Sequence, residues 1–175
     1  MSVSAGALRE HLHYTAWASQ RLVHAVEQLS HEQLTHDFQT ADHSLLGTLV
    51  HVFRADRVWL ARLKEETAPP FNSESDLDLR VLQTDWPRLY ARWLEWAENL
   101  TDESALERIA YHDLKGVAHI TPVFQIVLHV VNHGTHHRGQ AAGFLRTLGY
   151  TPPPLDLIRY YRDLAASAGA STAGA

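Results

Sequence analysis

Apolar residues recur at steps of three and four along most of the chain, the spacing of one face of an α-helix. Leu8, Leu12, Thr15, Ser19, Leu22, Val26 and Leu29 form one such stripe. It predicts a first helix over residues 8–29, with Ser30, Glu32 and Gln33 as its exit turn. A second helix over 44–66 carries Leu45, Leu46, Leu49, Val52, Phe53, Trp59, Leu60 and Leu63. These cover more than half its circumference, so it should meet neighbours on more than one side. Pro69 and Pro70 cannot continue it, and residues 67–76 read as a loop. Leu79, Leu82, Trp86, Leu89, Trp93, Trp96 and Leu100 define a third helix. Pro87 inside it predicts either a kink or a restart capped by Thr84 or Asp85.

The period then changes. Residues 108–111 and 117–120 flank Asp113-Leu-Lys-Gly116, which predicts a short hairpin or irregular excursion. Thr121 as N-cap and Pro122 at the first helical position open a fourth long helix, which ends at Leu148 before Gly149. After Pro152, Pro153 and Pro154, residues 155–165 predict a short C-terminal helix, and residues 166–175 a disordered low-complexity tail. No repeat is visible. Four long apolar stripes are buried most simply in an all-α four-helix bundle, here a single domain over 1–165.

Composition narrows the function. Fifteen Lys and Arg against twenty Asp and Glu leave a net charge of −5, which argues against nucleic acid as a partner. No apolar run is long enough for a membrane span, and the N-terminus lacks the basic and apolar regions of a signal peptide. With no cysteine there is no disulfide and no thiolate ligand or nucleophile. A cytoplasmic protein is expected. The outlying count is 13 histidines, which makes imidazole the expected reagent.

Most of these need no function. His11, His13, His24, His31 and His36 lie among polar residues, and His112 and His119 fall in the excursion. The fourth helix differs. His129, His133 and His137 recur every four residues and share a face with Ile126, Val130, Ala141, Phe144 and Leu148. Imidazoles on an apolar face must be hydrogen-bonded or coordinated, because a buried unpaired polar group costs about 1–3 kcal/mol. His136 projects to the flank. Two histidines at i and i+4 can bind one ion, although a hydrogen-bonded histidine cluster would also satisfy the spacing. The third donor must come from another helix. His51 is the best candidate, because Ser44, Gly47, Thr48 and Ala55 around it are small and would leave room for an ion and a substrate. His43, at the mouth of the second helix, competes with it.

Asn132-His133-Gly-Thr-His136-His137-Arg138-Gly139-Gln140 resembles the NHxxHHRGQ signature of the DinB/YfiT-like metal-dependent superfamily. His51 within Leu49-Val-His51-Val-Phe-Arg-Ala-Asp-Arg-Val-Trp59-Leu60 is similar to its LxHxxxAxxxWL element. Tyr14-Thr-Ala-Trp17 matches the aromatic start of its first helix, with Ser19 where asparagine is frequent. The resemblance covers most of the chain. It implies an up-down-down-up bundle whose metal ligands are His51, His133 and His137, and leaves His129 beside the pocket.

Three neutral imidazoles leave an open position on a divalent ion, as catalytic sites do. Zn²⁺ or Ni²⁺ is expected first, then Fe²⁺, Mn²⁺ or Cu²⁺. Gln140, three residues beyond His137, is placed to hydrogen-bond a ligand imidazole or a bound water, whereas Asn132 and Arg138 read as packing or surface contacts. Gly134, Gly139 and Gly143 suggest a closely approaching helix or space for a ligand. The superfamily includes transferases using low-molecular-weight thiols such as bacillithiol and mycothiol. By resemblance, the metal would bind such a thiol and raise its thiolate fraction for attack on an electrophile, in detoxification. A non-catalytic metal-binding stress protein and a metal-dependent hydrolase are the alternatives; no Asp or Glu plainly lines the site as the base a hydrolase needs. Trp17, Trp59, Trp86, Trp93 and Trp96 exceed what one small bundle needs, so a homodimer is expected.

Overall fold

The computed structural model describes residues 3–172. Its helices are α1 (Ala5–Val26), α2 (His31–Thr35), α3 (Leu45–Leu63), α4 (Leu79–Glu98), α5 (Val123–Thr147) and α6 (Leu157–Thr172). Strands β1 (Arg108–His112) and β2 (Ala118–Pro122) form an antiparallel hairpin. The four long helices pack as a square in which α1 touches α4 and α5, and α3 touches the same two. Each thus buries its stripe between two neighbours. Residues 64–78, between α3 and α4, are long enough to run back along the bundle, as parallel adjacent helices require.

Local chemistry sets the boundaries. Ser4 caps α1, its Oγ accepting from the Ala7 amide. Ser30 opens α2 rather than ending α1: its Oγ accepts from the Gln33 amide while the Gln33 side chain accepts from the Ser30 amide. Ser44 caps α3 and Asp78 caps α4. α4 runs through Pro87 without restarting, so neither Thr84 nor Asp85 is a cap. The hairpin is present, with Ala110 opposite Ile120. It consumes Thr121, which pairs with Ile109, so α5 begins at Val123 after an uncapping Pro122. At the far end Gly149 adopts φ +86, the left-handed turn expected after a helix.

Helix α6 continues to Thr172, past the end expected at Ala165, because Ala165, Ala166 and Ala168 favour helix over an irregular tail. Residues 173–175 of that expected tail lie outside the described residues. Tyr160 of α6 packs on Tyr14 and Trp17 of α1, and the Tyr14 hydroxyl donates to the Leu155 carbonyl at 2.8 Å.

Trp86 and Trp93 are fully buried, and Trp17, Trp59 and Trp96 are half-buried. None is exposed, so the tryptophan count does not argue for an interface. No helix among the described residues is long and apolar enough to cross a membrane.

A buried polar chain threads the bundle. Asp56 and Arg138 are 1% and 2% exposed. Asp56 Oδ2 accepts from Trp86 Nε1 and from the Tyr90 hydroxyl, both at 3.0 Å. The Tyr90 oxygen lies 2.9 Å from Ser19 Oγ, which Arg138 approaches at 3.4 Å. Arg138 donates to Ser19, Ser19 to Tyr90, and Tyr90 and Trp86 to Asp56, so one orientation satisfies every link. Gly134 makes room for the guanidinium: a Cβ there would lie 2.7 Å from Arg138. Gly139 and Gly143 have nothing within 4 Å of where a Cβ would stand, so no neighbouring helix explains them. Arg138 is therefore a core residue, not a surface contact.

Candidate metal centre

His51 of α3 and His133 and His137 of α5 converge where these helices meet. One ring nitrogen from each lies within 4.8 Å of the others. His51 Nε2 and His133 Nε2 are 3.1 Å apart. Nitrogens on a tetrahedral ion, with bonds near 2.0–2.1 Å, are about 3.3 Å apart. The His133 ring centroid lies 4.5 Å from that of His137, and the His51 and His137 centroids are 4.6 Å apart.

The outer faces of two rings are held by partners. Asp42 Oδ1 lies 3.3 Å from His51 Nδ1, and Asp42 Oδ2 lies 3.6 Å from His137 Nδ1. Gln140 Oε1 accepts from His137 Nδ1 at 2.7 Å. Acceptors on this side favour the proton on Nδ1 and leave Nε2 as the free donor of His51 and His137. Gln140 thus touches a site imidazole, one of the two contacts its spacing suggested. Asp42 is the residue that sequence reasoning missed, and it corrects the expectation that no carboxylate lines the site. It supports the rings from outside.

Asp42 reaches both rings because its loop is wedged between α3 and α5. Phe38 stacks on Phe144 of α5 at 4.1 Å. The Phe38 amide donates to the His43 carbonyl at 2.7 Å, and Gln39 and His43 take φ of +56 and +59. Such backbone is uncommon outside glycine and is held by surrounding contacts. A Cβ at Gly47 would fall 2.1 Å from the Asp42 carbonyl oxygen. Gly47 therefore admits this loop, not a metal or substrate. Ser44 is small because it caps α3, and Thr48 Oγ1 donates to the Ser44 carbonyl at 2.9 Å. Ala55, of the four small residues around His51, borders a cavity.

The remaining candidates separate clearly. His43 is exposed and lies 3.7 Å from Asp37, away from the cluster. His136 is exposed beside His137. His129 is exposed, not inward as its helical face suggested. It stands at the rim, with its centroid 5.3 Å from Trp59 and 5.5 Å from His133. Asn132 lines a separate cleft of about 920 Å³ on the opposite side of α5.

Burial, reinforced by the neighbouring His137 and His51, pushes His133 down to about 3. His137 is lowered by burial and by His51, against the pull of Gln140 and Asp42, and His129 by burial. The folded chain thus holds these imidazoles neutral where an unfolded one, near 6.5, takes up protons. The unfolded state then binds more protons, so stability falls as pH drops from about 6.5 toward 3. In metal-free protein the change in melting temperature from pH 7 to pH 5 should be more favourable in His133→Leu than in the parent, because the variant lacks the imidazole that takes up a proton only on unfolding. An equal change in the two proteins would show that His133 is not held neutral.

The donor set fits a divalent ion: three imidazoles, no competing thiolate, and a carboxylate orienting the rings. The DinB family model matches residues 1–166. Protein DinB of Bacillus subtilis (strain 168) is 28% identical over 84% of this chain and 89% of its own length. The crystal structure of a DinB-like protein from Bacillus cereus ATCC 10987 superposes with a TM-score of 0.66 at 18% identity, covering 87% of this chain and 97% of that one. That likeness shares the helical bundle, and the family match takes in all three clustered histidines: the chain belongs to the DinB family.

Proposed function

We propose that His51, His133 and His137 bind one divalent ion, Zn²⁺ or Ni²⁺ before others, and that the protein is a thiol S-transferase. The observation that carries this reading is the convergence of three ring nitrogens whose outer faces are held by Asp42 and Gln140. When bound, such an ion with an open position lowers the pKa of a thiol placed on it.

The chain's own residues prepare that site. His51 and His133 turn Nε2 toward a common point. Gln140 fixes the His137 ring by its Nδ1 proton, and the Asp42 carboxylate adds negative charge beside two rings. Such partners raise the basicity of the ligating nitrogens. Asp42 sits on the outer side of the rings, which leaves it poorly placed as a base for water and favours a transferase over a hydrolase. With no cysteine in the chain, the nucleophilic thiol must arrive as a soluble molecule.

Cobalt substitution tests this directly. Adding a small thiol to the Co²⁺-loaded protein should produce a sulfur-to-metal charge-transfer band, absent in His137→Ala. A cobalt spectrum indifferent to every small thiol would end the transferase reading while leaving metal binding intact.

A further inference from the structure

A cavity of about 350 Å³ opens one helical turn beyond His51, between α3, the 64–78 loop and the hairpin. Its wall begins at the candidate metal centre: Phe71 meets the His51 ring edge-on at 5.6 Å, and Ala55 follows His51 by one turn. The loop that carries Phe71 is anchored by Asp76, which accepts from Arg54 Nε at 3.1 Å and from an Arg57 NH2 group at 2.8 Å. Trp59 and Tyr111 form the next section, edge to face at 5.2 Å. Flat apolar walls of this kind accommodate a planar molecule.

The cavity also holds two cationic groups, Arg62 and Lys115. The Arg62 guanidinium lies 4.5 Å from the Trp59 ring centre and 4.8 Å from that of Tyr111. One NH2 group donates to the His112 carbonyl at 2.8 Å. Among the described residues no carboxylate oxygen lies within ion-pair distance of Arg62 or of Lys115, although the Asp113 charge acts on Arg62 from further off. The one carboxylate there, Asp113, is engaged in the hairpin turn. It accepts from the amides of Lys115 and Val117 at 2.8 and 2.9 Å and faces His119 Nε2 at 3.2 Å. A planar guanidinium with unused N–H groups beside aromatic rings matches a carboxylate attached to a flat body.

We propose that this cavity binds a small planar carboxylate, its body against Trp59, Tyr111 and Phe71 and its carboxylate on Arg62, with the rest directed toward the three histidines. The inference rests on the metal-dependent reading for its catalytic meaning, but the binding itself does not need the ion. The carboxylate can belong to the electrophile or to the thiol, and the same experiment separates these sources.

The probes are 1-naphthoate and its uncharged analogue 1-naphthalenemethanol, titrated calorimetrically into the full chain stripped of metal. Naphthoate should bind about 10-fold more tightly or better, the size of one charge-assisted hydrogen bond. Arg62→Gln should lose about that factor for naphthoate and change the alcohol less than twofold. Arg62→Lys, which keeps the charge, should recover part of it and guards against a collapsed pocket. Equal affinity for the two probes, or Arg62→Gln binding naphthoate as well as the parent, would overturn the proposal. So would loss on Arg146→Gln alone, which would put the anion in the cleft behind α5. Displacement of naphthoate by 2-mercaptosuccinate would assign the pocket to the thiol's carboxylates; no displacement would assign it to the electrophile. Elemental analysis of each protein before stripping, after a divalent ion has been supplied, reads the histidines independently. Missing metal with intact naphthoate selectivity would overturn the metal reading and leave this one standing.

Discussion

Asp56→Leu is expected to destabilise the metal-free fold by about 3–5 kcal/mol at pH 8, the scale for leaving one buried charge without its counterpart. The substitution removes the acceptor of Trp86 Nε1 and the Tyr90 hydroxyl and leaves Arg138 as the only charge in that part of the core. Arginine cannot shed its proton, so the penalty cannot be escaped by neutralisation. Arg138→Leu should cost less, because Asp56 can protonate when its distant cation is gone. Burial already pushes the Asp56 carboxyl up to about 7, against the hydrogen bonds of Trp86 and Tyr90 and the charge of Arg138. The folded chain thus holds a proton that the unfolded chain releases between about pH 4 and 7. This carboxyl favours folding at low pH and loses that contribution as pH rises through 7, the opposite sign to His133. Asp56→Asn, which keeps an acceptor for both donors, should fall between the two. Chemical denaturation of the three variants at pH 8 checks the order. An Asp56→Leu loss below about 1 kcal/mol, or a larger loss for Arg138→Leu, would contradict the directional chain.

The second large effect concerns the ligands and their support. His133→Ala should lose metal binding by at least about a thousandfold, because two imidazoles on separate helices no longer close the site. Asp42→Ala should weaken binding by about 10- to 100-fold with the ligands intact, the range found when a carboxylate behind a ligating histidine is removed. The graded result matters. A structural cluster of hydrogen-bonded histidines would show no metal to lose, and a surface Asp42 would show no effect. Competition against a chromophoric chelator measures both variants on one scale.

The long helices were legible because each buries one continuous stripe, and the stripe at Leu8, Leu12, Leu22 and Val26 is buried in α1. His133 and His137 were legible for the same reason: four-residue spacing fixes a shared face whatever the surroundings. The helical face of His51 gave no direct sign; it was reached from the small residues around it, and the family resemblance gave the same residue, although Gly47 and Ser44 prove small for the Asp42 loop and the α3 cap. Asp42 had no signal at all. Its position depends on left-handed backbone at Gln39 and His43 and on the space at Gly47, which only the folded contact reveals. Asp56 and Arg138 did carry one. Asp56 continues the buried run of Leu49, Val52 and Phe53 toward Leu60, and Arg138 lies between buried Gly134 and Ala141. A charge inside an apolar stripe marks a buried pair or network. His129 failed in the other direction: the buried face of α5 runs through Val127, Val130, Gly134, Arg138 and Ala141, and the four-residue step carries the histidines around the helix, so His137 borders that face while His129 lies well off it, at the rim.

The central claim is that three imidazoles make one metal site. The most direct measurement is metal content per chain, by elemental analysis, in protein purified without added metal and in each single alanine variant. The account predicts about one divalent ion per chain in the parent, and at most a few per cent occupancy in His51→Ala, His133→Ala and His137→Ala alike, while His43→Ala and His136→Ala retain the ion. Full occupancy in any one of the three ligand variants, or a parent that takes up no divalent ion even when one is supplied, would contradict it.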